Sequence, residues 1–478
     1  MKLESIKRRI AILILICVWS VSNAQKKNVL FIITDDLNCN LGTYKHYMVK
    51  TPNIDKLASE GRQFNNAFCN YPQCGASRAS MMTGLYPTQT GHFNLRDTVR
   101  QHVPNVTTLS QVFINNGYEA SRVGKIYHYD NPSAIGTNGH DDELSWTARY
   151  NPIGRDKLEE NKIFSLVKNK FGGVLSWLAA DGKDEEQTDG MVATKAIELL
   201  EEYAKEDTPF FLGVGFYKPH TPYVAPKKYF EMYDKSDIII PRVPENYLST
   251  LPVPAQNSLT RKKPQLHLSD SLARCAAQAY LASITFLDAQ VGRVLRALKE
   301  NGLDKNTIIV FTSDHGYHLG EHDYYQKTTL FEDSGKIPLI ISYPGINKTG
   351  KETESIVEMI DLYPTLCELA GLKAPEYVSG KSFVDVLDKP KNTTRTSALM
   401  LMSNGCTLRT KDFRYTRWGW ELGKPDMVEL YDRKKDPAEL HNIAQDKHYE
   451  KQKKKLEQKL NERMEQANTP PENLKVIK

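Results

Sequence analysis

Cysteine is scarce in this chain of 478 residues: there are seven, at positions 17, 39, 69, 74, 275, 367 and 406. They are too few for a disulfide-built scaffold, and none has the paired spacing of a structural zinc site. Charge of one sign is also lacking, since 63 Lys and Arg face 58 Asp and Glu for a formal net of +5. That balance argues against the basic footprint of a nucleic-acid-binding protein. No segment repeats and no tract is of low complexity, which sets aside collagen-like and disordered classes. No apolar run is long enough to span a bilayer, so no stable membrane span is expected. What is present, 40% apolar and 25% charged residues, suffices for a large core, read as one large domain plus a small one.

Residues 1–24 are expected to form a secretory signal peptide. Lys2, Lys7, Arg8 and Arg9 precede the apolar core Ile10 to Trp19, and Ser22-Asn23-Ala24 supplies small residues at a cleavage site. Removing those four cations and Glu4 lowers the formal charge from +5 to +2. The chain is therefore expected to be exported, to the periplasm or beyond. Bulky Ile16 before Cys17 argues against a lipid anchor there. An exported chain that keeps an unpaired cysteine needs a reason for it: one thiol could be reactive or modified, and a pairing such as Cys39 with Cys69 stays open.

Short apolar runs alternate with helical patterns up to about residue 370. Asn28–Thr34, Tyr118–Val123, Pro209–Phe216, Thr307–Thr312 and Ile337–Ser342 read as buried strands. Thr51-Pro52 opens a helix with Ile54, Leu57 and Ala58 on its apolar face, and Leu281–Leu298 carries the clearest long amphipathic stripe. This alternation predicts an α/β fold with a mostly parallel sheet between helices, over residues 25–388. Pro241 to Leu268 lacks periodicity and reads as a surface excursion, a pocket wall or a linker. After residue 389, Ala398–Met402, Cys406–Arg409 and Phe413–Trp418 predict short antiparallel strands and a charged final helix, a smaller C-terminal α+β subdomain over 389–478.

Two predicted strands end in acids. Asn28–Thr34 runs into Asp35-Asp36, and Thr307–Thr312 into Ser313-Asp314-His315-Gly316, both at the carboxyl edge where open α/β sheets place ligands. Three converging carboxylates repel one another unless a cation neutralises them, and oxygen-rich clusters suit calcium or magnesium. An Asp-Asp after a single strand is commonly just a turn or cap; two such strand ends in one chain favour a site. Cys74, in Cys74-Gly75-Ala76-Ser77-Arg78-Ala79-Ser80-Met81-Met82-Thr83-Gly84, could on spacing alone be a small buried residue.

That eleven-residue string resembles the signature of the type I, formylglycine-dependent sulfatases, whose Cys-x-Pro/Ala-x-Arg core marks a cysteine oxidised to formylglycine. Further blocks in family order resemble it too: Thr51 to Ala58, Gly124-Lys125, Ser313 to Gly316, Asp361 to Leu366 and Glu429 to Asp432. Lys125-Ile126-Tyr127-His128, Lys218 to Tyr223, and Gly320-Glu321-His322 followed by Lys327 are similar to the iduronate 2-sulfatase group. The resemblance implies an alkaline-phosphatase-like fold and a sulfuric ester hydrolase. It further implies that Asp35, Asp36, Asp314 and His315, with modified Cys74, hold one divalent cation, calcium. One hydroxyl of the formylglycine hydrate would attack sulfur while the second later expels sulfate. On the same grounds His128 would be the base, Lys125 and Arg78 would hold and polarise the hydrate, His220 would protonate the departing sugar oxygen, and Lys327 would bind the sulfate.

The implied substrate is a sulfated, uronic-acid-containing polysaccharide or its oligosaccharides, of algal ulvan or glycosaminoglycan type. The implied partner is a formylglycine-generating maturation enzyme. The Ser22-Asn23-Ala24-Gln25 junction is similar to export signals of Bacteroidota, which suits a bacterial polysaccharide sulfatase. Arg96 and Trp418 are candidates for a sugar pocket, since arginine suits carboxylates and an indole face suits sugars, with surface or core packing as the alternative for both. His318 and His322 are four apart, but Gly320 between them weakens a helical zinc pair and favours loop structure. Two rivals stay open: a phosphomonoesterase or phosphodiesterase of the same superfamily using two zincs, and a non-catalytic glycan-binding relative.

Overall fold

A computed structural model describes residues 26–402, 404–419 and 427–477. The expected signal peptide lies outside these residues. The main sheet has eight strands: β1 (Asn28–Thr34), β2 (Arg62–Phe68), β3 (Glu119–Gly124), β4 (Ala148–Tyr150), β5 (Phe210–Gly215), β6 (Thr307–Ser313), β7 (Lys336–Ser342) and β8 (Lys351–Glu358). Their spatial order is β8-β2-β7-β6-β1-β5-β3-β4, and β7 alone runs antiparallel to its neighbours.

Strand β1 sits mid-sheet with every residue buried, because helices cover both faces. Leu30 and Ile32 point to a cluster that includes Leu200, Leu281 and Leu287, while Val29, Phe31 and Ile33 point to one that includes Met81, Phe113 and Leu366. The two-residue period of a strand divides these side chains between the layers. Five of the strands coincide, within a residue or two at each end, with the apolar runs. Strand β2 does not, because Arg-Gln-Phe-Asn-Asn-Ala-Phe has no apolar run; it is buried all the same. Its polar side chains are satisfied instead: Arg62 donates to the Leu387, Lys351 and Asn347 carbonyls, and Asn66 to Glu354.

The long helix covers Asp270–Glu300, starting eleven residues before its leucine-rich stripe. Its first turns bury Ala273, Ala276, Ala277 and Tyr280, small residues that close packing favours but a periodicity reading underweights. The stretch 241–268 is an anchored wall rather than a free linker. It contains a helix, Val253–Thr260, and buries Tyr247, Leu251, Ala255 and Leu259 beside Phe331 and Trp418.

A four-stranded antiparallel sheet follows: β9 (Ser397–Met402), β10 (Gly405–Thr410), β11 (Phe413–Trp418) and β12 (Val428–Asp432). The final helix, Glu450–Asn468, turns its charged face outward and packs Leu456, Leu460, Met464 and Ala467 into a cluster with Leu399, Leu408 and Leu430. Arg463 ties this helix to the main sheet by donating to Glu358 at 2.6 Å. No described helix is long and apolar enough to cross a membrane. All six described cysteines are free, so the Cys39–Cys69 pairing left open by the sequence is not formed.

Candidate active site

Thr34 pairs with Ser313, so β1 and β6 end side by side and deliver Asp35-Asp36 and Asp314-His315 to one edge. Asp36 takes a left-handed backbone, φ 65°, at this exit; aspartate tolerates such a turn better than most residues. The Asp36 amide donates to Asp314 Oδ1 at 3.2 Å and the Leu37 amide to Ser313 Oγ at 3.0 Å, locking the two exits together. Helix Cys74–Thr83 aims its first residue at this edge. Cys74 Sγ lies 3.6 Å from Asp35 Oδ1 and 3.1 Å from His315 Nε2.

One helical turn on, Arg78 is fully buried and fully engaged. It donates to Asp314 Oδ2 at 2.9 Å, to the Lys125 and Ile126 carbonyls at 2.8 and 2.9 Å, and to the Thr34 carbonyl at 3.1 Å. It also stands 3.5 Å from Asp35. The guanidinium therefore braces both acid-bearing strand ends. Lys125 enters after β3 through a glycine pair. Gly124 has φ 73°, and a Cβ on Gly215 would stand 2.1 Å from the Lys125 carbonyl, so neither position admits a side chain. The Lys125 ammonium then reaches Asp35 Oδ2 and the Tyr129 carbonyl. Lys327 donates to both oxygens of Asp36, at 2.6 and 2.7 Å, from a loop whose flanking residues Gln326 and Thr328 have φ 103° and 72°. Backbone strain on both sides of one lysine is a mark of a functional constraint.

The electrostatics follow from this packing. Burial would raise Asp35, but Lys125, His220 and Arg78 hold its carboxyl well below the usual range. Burial raises Asp36, against the pull of Lys327 and with repulsion from Asp35 and Asp314. Burial and the neighbouring Asp35 and Asp314 keep the Cys74 thiol far above its ordinary value, so an unmodified Cys74 is a neutral thiol rather than a nucleophilic thiolate. His128 is pushed down to about 2 by burial and then by Lys125, and neither ring nitrogen has a hydrogen-bond partner; its Nε2 lies 3.5 Å from Asp130. His220 is lowered by burial and Lys327; its Nδ1–H donates to the Thr221 carbonyl, which leaves Nε2 facing Asp36 at 3.7 Å.

A hard divalent cation fits these residues. Asp35, Asp36, Cys74 and His220 form one group of ligand atoms, and Asp35, Cys74, Asp314 and His315 a second, each within 4.8 Å of one another. Three carboxylates offer the oxygen donors that calcium prefers. His315 Nδ1–H is engaged by the Gly316 carbonyl at 2.9 Å, so its Nε2 lone pair faces the acids.

Above this floor opens a cavity of about 300 Å³ lined by Cys74, Arg96, His128, His220 and Lys327. Residues the sequence reading missed also line it: Asp130, Asn131, Gly172, Gly173, Arg261 and Lys262. Asn131, whose amide has no partner although buried, and Asp130 follow His128 closely enough for that neighbourhood to have signalled them. The others come from distant loops that only the fold brings in. Arg96 stands at the rim, paired with Asp130 at 3.1 Å. Trp418 does not reach the cavity. It is 0% exposed, packed with Phe331 and Tyr431, and donates its indole N–H to Glu429 at 2.6 Å, so the sugar-platform expectation is corrected to a core role. His318 opens a two-residue strand, His318–Leu319, and His322 sits in a short turn at φ 59°, so the two do not share a helix; their ring nitrogens lie 3.9 and 3.7 Å from Asp333.

An α/β sheet edge that gathers acids, lysines and histidines around a buried helix start is suited to binding an anionic ester beside a cation. Residues 27–372 match the sulfatase family and residues 320–466 the C-terminal region of N-sulphoglucosamine sulphohydrolase. The chain belongs to the sulfatase family and is a sulfuric ester hydrolase. It is 31% identical to the iduronate 2-sulfatase of Mus musculus, over 88% of this chain and 91% of that one. It is 29% identical to an ulvan-active sulfatase of Formosa agariphila, over 92% and 81%. Among solved structures, the phosphonate monoester hydrolase of Silicibacter pomeroyi superposes with a TM-score of 0.78 at 22% identity, covering 93% of this chain and 96% of the other. At that identity the likeness shows the alkaline-phosphatase-like fold and nothing about substrate.

Proposed function

We propose that the protein hydrolyses sulfate esters on a uronic-acid-containing glycan or its oligosaccharides, of ulvan or glycosaminoglycan type, with formylglycine at position 74 and one calcium ion. The observation that carries this reading is the aim of Cys74. The first residue of its helix is directed at a cluster of acids and imidazole below a cavity edged with cations. Names among the relatives, an iduronate 2-sulfatase and an ulvan-active sulfatase, support the uronate-containing class.

Asp35, Asp36, Asp314 and His315 would hold the calcium. When bound, calcium and the formylglycine hydrate would supply Lewis acidity and an activated hydroxyl for attack on sulfur. The remaining work belongs to this chain's own residues. Arg78 fixes Asp314 and Asp35 in place, and Lys125 steadies Asp35. Lys327, now on Asp36, is the cation best placed to bind the sulfate oxygens. His128, kept neutral by burial and Lys125 and with both ring nitrogens unpartnered, would be the proton acceptor. His220 must carry a proton on Nε2 to donate to the departing alcohol, and a bound sulfate beside it favours that imidazolium.

Cys74 is 1% exposed, so oxidation by a maturation enzyme has to precede folding, while the 74–78 segment is still extended. Export to the periplasm or medium, through the leader at 1–24, belongs to the same proposal. Sulfate release from a panel of sulfated disaccharides, measured by ion chromatography with calcium present, tests it. Release from uronate-containing members supports the reading; no sulfate release from any of them, with phosphate released from the matching phosphate esters run alongside, overturns it.

A further inference from the structure

The cations around the cavity are not equivalent. On the floor, Asp35, Asp36 and Asp314 are matched by Arg78, Lys125 and Lys327, and at the rim Arg96 is matched by Asp130. Arg261 and Lys262, which end the helix at Val253–Thr260 and start the following turn, have no carboxylate partner among the described residues. Arg261 spends one N–H on Thr328 Oγ1 at 3.1 Å, and Lys262 spends one on the Gly173 carbonyl at 3.0 Å. Each keeps further donors free.

Both anchors hold the charges in place. Thr328 follows Lys327 directly, so Arg261 is tied to the loop that carries the sulfate-facing lysine. Gly173 belongs to the wall opposite, beside Gly172, whose carbonyl accepts from the Thr221 hydroxyl next to His220. The helix behind them is fixed by Ala255, Ser258 and Leu259, all buried. Two unneutralised cations on a fixed segment, sharing a cavity with Lys327 and His220, make a second anion-binding point.

We infer that Arg261 and Lys262 form a subsite for a second anionic group on the sugar, a carboxylate or a further sulfate, next to the sulfate ester that is cleaved. The inference rests on the proposed function and deepens it. It makes the enzyme selective for substrates bearing two neighbouring negative charges over those bearing one. Nothing but charge and hydrogen-bond donation is required of the second group, so uronates and disulfated amino sugars compete for the same place.

The test compares Arg261→Gln, Lys262→Gln and the double variant with the parent protein. The substrates are a 2-O-sulfated uronate disaccharide, its carboxyl-reduced form, N,6-O-disulfated glucosamine and 4-nitrophenyl sulfate. The expected result is that the ratio of kcat/KM for a dianionic substrate to that for 4-nitrophenyl sulfate falls about ten-fold per variant, with the change in KM. A fall with the uronate and not with its reduced form assigns the carboxylate; a fall with the disulfated sugar assigns the second sulfate. Calorimetric binding of the same disaccharides to Cys74→Ala protein reads affinity without turnover, and Arg261→Gln added to that background should weaken it about ten-fold. An unchanged ratio together with unchanged affinity overturns the subsite. Failure of the parent protein to release sulfate from any substrate overturns the proposed function instead.

Discussion

Replacing Trp418 separates a core role from a sugar-binding role. The side chain is fully buried among Phe331, Met400 and Tyr431, and its N–H donates to Glu429, itself buried. Trp418→Ala removes the largest fully buried side chain of the C-terminal sheet, and truncations of this kind cost ~3–5 kcal/mol. Glu429 also loses one of its donors; a buried acceptor left short costs ~1–3 kcal/mol, although the Tyr431 hydroxyl still donates to it at 2.7 Å. Burial and the Asp-like repulsion of Glu439 already raise the Glu429 carboxyl, with Arg414 pulling it back, so the lost donor should raise it further. Trp418→Phe keeps most of the volume but loses the N–H and part of the indole ring, for a smaller cost that includes ~1–3 kcal/mol for the lost hydrogen bond. The assay is urea unfolding followed by intrinsic fluorescence, alongside KM for a sulfated disaccharide under strongly native conditions. The expected pattern is a large loss of stability for Ala, a smaller one for Phe, and an unchanged KM in both. A KM that rises several-fold with stability intact would show that the indole meets substrate and that its core placement is wrong.

Other outcomes follow from the same geometry. Arg78→Lys leaves charge on the strand ends but abandons the carbonyls of Lys125, Ile126 and Thr34, so activity should fall at least a hundred-fold with a stability loss of ~3–5 kcal/mol; near-normal turnover would remove Arg78 from the account. Chelation should abolish sulfate release and lower the melting temperature, with calcium restoring both; a chelated protein unchanged in both respects contradicts the calcium proposal. Lys262 is lowered to about 8 by burial and by Arg261 and Lys327, with Asp36 opposing. It is charged below that pH and neutral above it, so KM for a dianionic substrate should rise as pH passes 8. Lys262→Arg should flatten that rise, and an identical profile in the variant would sink the assignment.

The site was more legible than its surroundings. Asp35, Asp36, Asp314 and His315 could be placed because buried parallel strands announce themselves as apolar runs and their ends are then fixed. Cys74, Lys125, His128, His220 and Lys327 carry no such periodic signal; only the resemblance of whole blocks singled them out. Strand β2 was hidden because its buried side chains are polar and satisfied by carbonyls far along the chain. Trp418 misled because an aromatic residue in a small appended sheet reads the same whether it faces sugar or core, and the partner that decides, Glu429, lies on the neighbouring strand. Arg261 and Lys262 were invisible because their meaning is the absence of a neutralising acid, a property of the folded cavity alone.

Residue 74 is proposed to work as an oxidised side chain in sulfate ester hydrolysis. Mass spectrometry of the peptide containing residue 74, from protein made with a maturation enzyme, should show the aldehyde in place of the thiol. Sulfate release should scale with the converted fraction and vanish in Cys74→Ala, whose fold is retained. Undiminished sulfate release from Cys74→Ala, or from protein whose Cys74 is entirely thiol, would contradict the account.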